Sequence, residues 1–193
     1  MIHSDITLGI LAGGRATRLG GRDKAWLLRD GVPLVLRWQR RFEQETAATL
    51  VSANRDLERY AQAGLQATAD QRTGEHGPIA GLEALAAACC TMWLLTIPVD
   101  LVGVNDCLLS SLIAGSADNG ACAVDDDGLQ PLVALWRVTA LRDATTAAIA
   151  SNDTAVHALQ SRLGLVSVRF HGVRFGNLNT ADDLAAAGIA IHE

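Results

Sequence analysis

Residues 7–24 read TLGILAGGRATRLGGRDK, a short apolar run that breaks directly into a loop of glycines and cations. Residues 7–11 have the composition of a buried β-strand. Between Leu11 and Lys24 lie four glycines and the cations Arg15, Arg18, Arg22 and Lys24. That is a quarter of the sixteen Lys and Arg residues of a chain whose formal net charge is -5. A bound polyanion accounts for such a concentration. Glycine allows close backbone approach, backbone N–H groups cradle phosphates, and cations neutralise the charge. The loop is not a Walker A motif, because no Ser or Thr follows Lys24. Nor do Gly13-Gly14 and Gly20-Gly21 supply the G-x-G-x-x-G of a dinucleotide fold.

Outward from this loop, apolar strand-like runs alternate with helical patterns. Strands are expected over residues 48–53, 65–69, 92–99 and 166–170, with a short extended piece over 26–29 turned by Asp30-Gly31. Pro33 suits the first turn of a helix whose Leu34, Trp38 and Phe42 share one face. Further helices are expected over 55–63, over a segment placing Leu82, Leu85, Ala86 and Cys89 on one face, and along Val104, Leu108 and Leu112. Two more are expected near 139–150 and 154–163, and a last one opens at Thr180 with Asp183 in a capping-box arrangement. Residues 121–126 and 132–137 read as strands flanking Asp127-Gly128, where Asp125, Asp126 and Asp127 are expected to form a solvated hairpin tip. The pattern predicts an α/β protein: a doubly wound, mostly parallel sheet with helices on both faces and a small antiparallel excursion near 121–137. At 193 residues the chain is expected to be a single domain.

Composition removes several classes of function. The acidic balance argues against nucleic acid and membrane surfaces as partners. Cys89, Cys90, Cys107 and Cys122 lack CxxC or Cys/His spacing and are expected as reduced, buried, intracellular thiols. The five histidines form no zinc pattern, and no G-x-S-x-G elbow is present. Residues 8–12 are too short an apolar run for a signal segment or a membrane span, so a cytoplasmic location is expected.

Ligands of open α/β sheets bind beyond the carboxyl ends of the strands. Here those ends lead into Gly13-Gly14, Asn54, Asp70 and Asp100. Glycines, an amide and two carboxylates thus converge on one sheet edge. A carboxylate at the end of the apolar 92–99 run suits Mg²⁺ near phosphates, or else the cap of a following helix.

These residues carry a resemblance. The segment LAGGRATRLGGRDKAWL resembles the signature loop of nucleotidyltransferases that activate a phosphorylated substrate with an NTP, closest to the molybdenum cofactor guanylyltransferase family. The likeness continues through VSANRD at 51–56, Asp70, GPIAGL at 77–82, PVD at 98–100 and GNLNTADDL at 176–184. It implies that Leu11, Ala12, Gly13 and Gly14 line the guanine and phosphate site. Lys24 would contact phosphates, Arg18 would join it on the leaving pyrophosphate, and Asn54 and Asp70 would help hold the nucleotide. Asp100 would bind Mg²⁺, and Asn179 would face the pterin phosphate. Pairing of the LAGG loop with Pro78-Ile79-Ala80-Gly81 favours guanine, with Gly81 part of the nucleotide site. The NTP-binding part would occupy about residues 1–103 and the acceptor-binding part about 104–193.

The implied activity is transfer of GMP from GTP to molybdenum-molybdopterin, by a monomer in transient contact with cofactor-synthesis proteins or target molybdoenzymes. The alternatives are a cytidylyltransferase for the same cofactor, a sugar-phosphate nucleotidyltransferase, and a non-catalytic nucleotide-binding protein. Two stretches depart from the family pattern: Pro98-Val99-Asp100-Leu101, where the family often has Asp-Thr-Pro, and Gln130-Pro131-Leu132, where it often has His-Pro-Thr.

Overall fold

The computed structural model describes residues 3–13, 23–72 and 76–189. The chain opens with strand β1 (His3–Leu11). After a single 3-10 turn (Lys24–Trp26) come the small hairpin β2 (Leu28–Arg29) and β3 (Val32–Pro33), helix α1 (Leu34–Phe42) and β4 (Thr46–Ser52). Helix α2 (Leu57–Gln62), β5 (Gln66–Thr68), α3 (Pro78–Ala88) and β6 (Trp93–Pro98) complete the first half. The second half contains β7 (Leu101–Val102), α4 (Leu108–Gly115), β8 (Gly120–Val124), β9 (Leu129–Arg137), α5 (Val138–Ala150), α6 (Val156–Leu163), β10 (Val166–Arg169), β11 (Gly176–Asn177) and α7 (Ala181–Ala186).

Seven strands form one sheet in the order β10-β8-β9-β6-β1-β4-β5. Neighbours pair in parallel except around β9, which runs antiparallel to both β6 and β8. The mostly parallel sheet expected from the sequence is therefore present. The antiparallel excursion is not a separate flap, however. One reversed strand is built into the middle of the sheet and lets β8 and β10 continue in the common direction.

Alternate residues of each strand feed two cores, as the pleat requires. On one face Ile6, Leu8, Ile10, Leu95 and Ile97 meet Val35 and Phe42 of α1, Tyr60 of α2, and Leu108 and Leu112 of α4. On the other, Leu50, Leu94 and Trp136 meet Ile79, Leu82 and Leu85 of α3, Leu141 of α5 and Leu159 of α6. Helix α3 lies between the sheet and α5, and every residue from Ile79 to Ala86 is buried. The buried Thr96 hydroxyl accepts from the Trp136 indole N–H at 2.8 Å and donates to the Leu132 carbonyl at 3.0 Å, so the indole is buried without an orphaned donor.

Several local expectations shift. Pro33 precedes the helix as its cap and pairs in the β2–β3 hairpin; its fixed φ of -54° serves that entry. Of residues 26–29 only Leu28–Arg29 is extended, because Asp23 caps a 3-10 turn just before it. Val104 lies ahead of α4, not on it. Cys90 and Cys107 are exposed, whereas Cys89 and Cys122 are buried; all four are free thiols. Cys90 follows the last turn of α3 and Cys107 caps the start of α4, positions at helix ends that face outward. Asp125 is not solvated: it is wholly buried, while Asp126 and Asp127 are exposed. The β7–β11 pair, two residues a side, was not anticipated. Such short partners carry no period-two signal.

Candidate functional site

Parallel register brings the four strand ends level. Leu11 pairs with Ser52 on one side and Pro98 on the other, and Ser52 pairs with Thr68. Gly13, Asn54, Asp70 and Asp100 each stand two residues beyond that row. Three backbone bonds carry the ladder one step past the strands: Ala12 N to Ser52 O at 2.8 Å, Val99 N to Leu11 O at 3.0 Å and Ala53 N to Thr68 O at 2.9 Å. The sheet itself, not a loop, holds these residues abreast.

On the β4–β5 side, Asn54 and Asp70 lock together. The Asn54 amide nitrogen donates to Asp70 Oδ2 at 2.8 Å, and the Asp70 backbone N–H donates to Asn54 Oδ1 at 2.9 Å. Two residues on, the Arg72 guanidinium forks onto the nearly buried Glu83 of α3, with Nη2 2.8 Å and Nε 3.0 Å from Oε1. That pair ties the turn after β5 to α3. Gly81 of the same helix packs directly on the strand ends. A Cβ there would lie 2.8 Å from Ser52 Oγ and 2.9 Å from Leu11 Cδ2, closer than ordinary van der Waals contact. Leu11 and Gly81 of the PIAG segment thus meet side by side.

On the β6 side, Lys24 reaches Asp100. Its ammonium lies 2.6 Å from Asp100 Oδ2, with the two side chains only 21% and 15% exposed, and it also donates to Asn179 Oδ1 at 2.9 Å. Residues separated by 76 and 155 positions in sequence therefore meet at one charge. Asn179 arrives there because β11 pairs with β7 and the Leu178 N–H donates to the Asp100 carbonyl at 3.1 Å. The Asp183 carboxylate accepts from the backbone N–H groups of Asn179 and Thr180 in a complete capping box, and its bonds with Thr180 hold it below the usual carboxylate range.

The backbone at Lys24 is anchored from beneath. Asp23 accepts from Ala25 N at 2.9 Å and from the Tyr60 hydroxyl at 3.0 Å. Burial, then the charge of Asp23, pushes the Tyr60 phenol well above its ordinary value, so it remains a donor. The Trp26 ring packs on Tyr60 at 5.0 Å between centroids and carries the Arg59 guanidinium 4.2 Å from its own. The Trp38 indole N–H donates to the Val99 carbonyl at 3.0 Å, fixing the peptide just before Asp100.

Of the residues singled out from the sequence, Leu11, Ala12, Gly13, Lys24, Asn54, Asp70, Gly81, Asp100 and Asn179 all lie along this edge. Gly14, Arg15, Arg18 and Arg22 lie outside the described residues. Asn179 accepts from Lys24 and so belongs to the same cluster as Asp100. The supporting residues Asp23, Tyr60 and Trp38 were not foreseen. An Asp preceding Lys-Ala-Trp is a legible helix cap, but nothing in the sequence pairs it with Tyr60. The Gln130 amide donates to Asp125 Oδ2 at 3.1 Å.

Among the described residues, no group of three or more His, Cys, Asp or Glu converges to hold a metal. The available donors are the Asp100 carboxylate and the Asn179 carbonyl oxygen. One carboxylate with hard oxygen neighbours fits Mg²⁺, which keeps several waters and takes its remaining ligands from substrate phosphates. No helix in the described residues is long and apolar enough to cross a membrane.

Comparison with known proteins bears on the same region. Residues 8–165 match the family model described as MobA-like NTP transferase domain. The chain is 39% identical over 198 residues to the molybdenum cofactor guanylyltransferase of Burkholderia ambifaria strain MC40-6, covering 94% of each. It is 31% identical over 193 residues to the protein of the same name from Cupriavidus taiwanensis, covering 95% of this chain and 96% of that one. Its fold resembles the crystal structure of molybdopterin-guanine dinucleotide biosynthesis protein A from Archaeoglobus fulgidus, with a TM-score of 0.68, 20% identity, and coverage of 94% and 96%.

Proposed function

The chain belongs to the MobA-like NTP transferase domain family, and on that premise we propose that it transfers GMP from GTP to the terminal phosphate of molybdenum-molybdopterin. The products are the guanine dinucleotide cofactor and pyrophosphate. The observation that carries this reading is the level row Gly13, Asn54, Asp70 and Asp100, with Lys24 held between Asp100 and Asn179.

A phosphate oxygen of the acceptor attacks the α-phosphorus of GTP in line. The bond from that phosphorus to the oxygen bridging to the β-phosphate breaks, and pyrophosphate leaves with the bonding pair. The acceptor phosphate is already ionised near neutral pH, so no strong general base is needed. What the protein supplies is position and charge. Backbone groups of residues 11–13, abutting Gly81, offer a flat edge for the base, and the locked Asn54–Asp70 pair offers polar atoms for the nucleoside. The Lys24 ammonium is released towards the phosphates and stabilises charge on the departing pyrophosphate, with Arg18 assigned to the same task. Asp100 would hold Mg²⁺, which would supply charge neutralisation at the phosphates. Asn179, beside Lys24, orients the incoming pterin phosphate. The NTP half is residues 1–103 and the acceptor half 104–193 of one domain, and we take the protein to act as a monomer in the cytoplasm.

Incubation with molybdopterin, GTP and Mg²⁺, following pyrophosphate and product mass, tests the assignment directly. GTP should be consumed in preference to CTP when both are present. Asp100→Ala and Lys24→Ala should each slow turnover at least tenfold, a barrier increase above about 1.4 kcal/mol. Folded variants turning over at the wild-type rate would remove those two residues from the mechanism. Equal use of CTP would remove guanine.

A further inference from the structure

Asp125 is the one fully buried carboxylate among the described residues that the transfer mechanism does not use. It sits in the turn between β8 and β9 and accepts four hydrogen bonds. Oδ1 takes the backbone N–H groups of Asp127 and Gly128, each at 2.9 Å. Oδ2 takes the Gln130 amide at 3.1 Å and, across the sheet end, the Phe175 N–H at 2.6 Å. The first two bonds close its own turn. The last one reaches a different part of the chain, fifty positions away.

That distant segment runs on into the site. Asp126 N donates to Val173 O at 3.0 Å, and Phe175 is buried against Phe170. Gly176 and Asn177 then pair with Val102 and Leu101, Leu178 N bonds the Asp100 carbonyl, and Asn179 presents its Oδ1 to Lys24. The strap lies close on residues 101–103. Gly103 has φ +80°, and a Cβ there would collide with the Arg174 carbonyl oxygen. Only two residues, Gly176 and Asn177, lie between Phe175, bonded to Asp125, and Leu178, bonded to Asp100. With so little slack, the position of Phe175 N sets the position of Leu178 and hence of Asn179.

We infer that Asp125 is a positioning residue of the transfer site, acting through residues 173–178 to place Asn179. Gln130, one of its four donors, helps to orient it. Burial pushes the Asp125 pKa up, but the bonds from Phe175, Gln130, Asp127 and Gly128 together outweigh this and hold it below the ordinary value, so it acts as an anionic acceptor. The carboxylate suits the role because all four partners are donors, two on each oxygen, and an amide in its place would set its NH2 group against such a pair.

The inference rests on the transferase reading, and a double-mutant cycle separates the two. Wild type, Asp125→Asn, Asn179→Ala and the double variant are compared for kcat and KM with GTP, molybdopterin and Mg²⁺, alongside amide exchange at Leu178. Displacing a positioned group can cost on the order of a hundredfold, so Asp125→Asn is expected to lower kcat tenfold to a hundredfold. In the Asn179→Ala background the same change should cost less than threefold, because the group it positions is gone. The Leu178 amide should exchange faster in Asp125→Asn. Should that variant fold poorly, Gln130→Met, which removes one donor and keeps the length, should show a smaller loss that likewise disappears with Asn179→Ala. Equal factors in both backgrounds, or unchanged Leu178 exchange, would overturn the inference. A wild-type protein that released no pyrophosphate would instead overturn the transferase reading, and the exchange comparison would still decide whether Asp125 holds the strap.

Discussion

Lys24 occupies the carboxylate that the proposed chemistry assigns to a metal, and this makes Lys24→Met a two-directional experiment. The ammonium lies 2.6 Å from Asp100 Oδ2, at 21% and 15% side-chain exposure, where solvent screening is incomplete. A charge-assisted hydrogen bond in such a setting contributes about 1–3 kcal/mol. A divalent cation binding to the nucleotide-free protein must displace it. Methionine keeps most of the length and removes the charge. Nucleotide-free Mn²⁺, counted by loss of its free-ion electron paramagnetic resonance signal, should therefore bind Lys24→Met about 5- to 150-fold more tightly than wild type, the same energy expressed as a ratio. Turnover with GTP and Mg²⁺ should fall at least tenfold, because the cation serving the pyrophosphate is lost. Asp100→Ala should abolish the added Mn²⁺ affinity. An Mn²⁺ affinity in Lys24→Met no tighter than wild type would show that the ion pair does not guard the carboxylate.

Other consequences can be measured separately. Gly81→Val forces methyl groups into Ser52 and Leu11, where even a Cβ is 2.8 Å and 2.9 Å from its neighbours. Overpacking of about 1–3 kcal/mol should lower Tm by roughly 2–12 °C in calorimetry and raise KM for GTP more than it lowers kcat. A Thiol reagent should label Cys90 and Cys107 quickly in the native protein, and Cys89 and Cys122 only on unfolding. Burial raises the Cys122 pKa and reinforces that protection. The folded-state pKa of Asp125 lies below its ordinary 3.8, so its ionised form favours folding. That contribution is complete above the unfolded value and drains away as pH falls through the folded one. Asp125→Asn should accordingly flatten the loss of stability as pH falls below the ordinary carboxylate range, seen by denaturant titration at each pH.

The alternation of apolar runs with helical faces was enough to announce the layered α/β fold, because burial on both sides of a parallel strand leaves a continuous apolar stretch such as residues 93–98. The same reading placed Gly13, Asn54, Asp70 and Asp100 at strand ends. Their standing in one row depended on register, which pairs Leu11 with both Ser52 and Pro98. Register is a relation between strands, and no single strand contains it. Asp125 illustrates the opposite outcome. Three successive aspartates beside a glycine read as a solvated turn, and two of them are exposed. The first is drawn inside because a distant backbone N–H, that of Phe175, needs an acceptor there.

Amino-acid order by itself determined the main strands and helices of the seven-stranded layer, and that a cation-rich glycine stretch follows the first strand, since both follow from local periodicity and composition. Tertiary structure alone decided that Lys24, Asp100 and Asn179 share one contact, that Tyr60 and Trp38 steady it, and that a two-residue strand pair delivers the third member. Those contacts join positions up to 155 residues apart. Their energy comes from side-chain geometry realised only once the sheet has fixed its order, and that leaves no periodic trace along the chain.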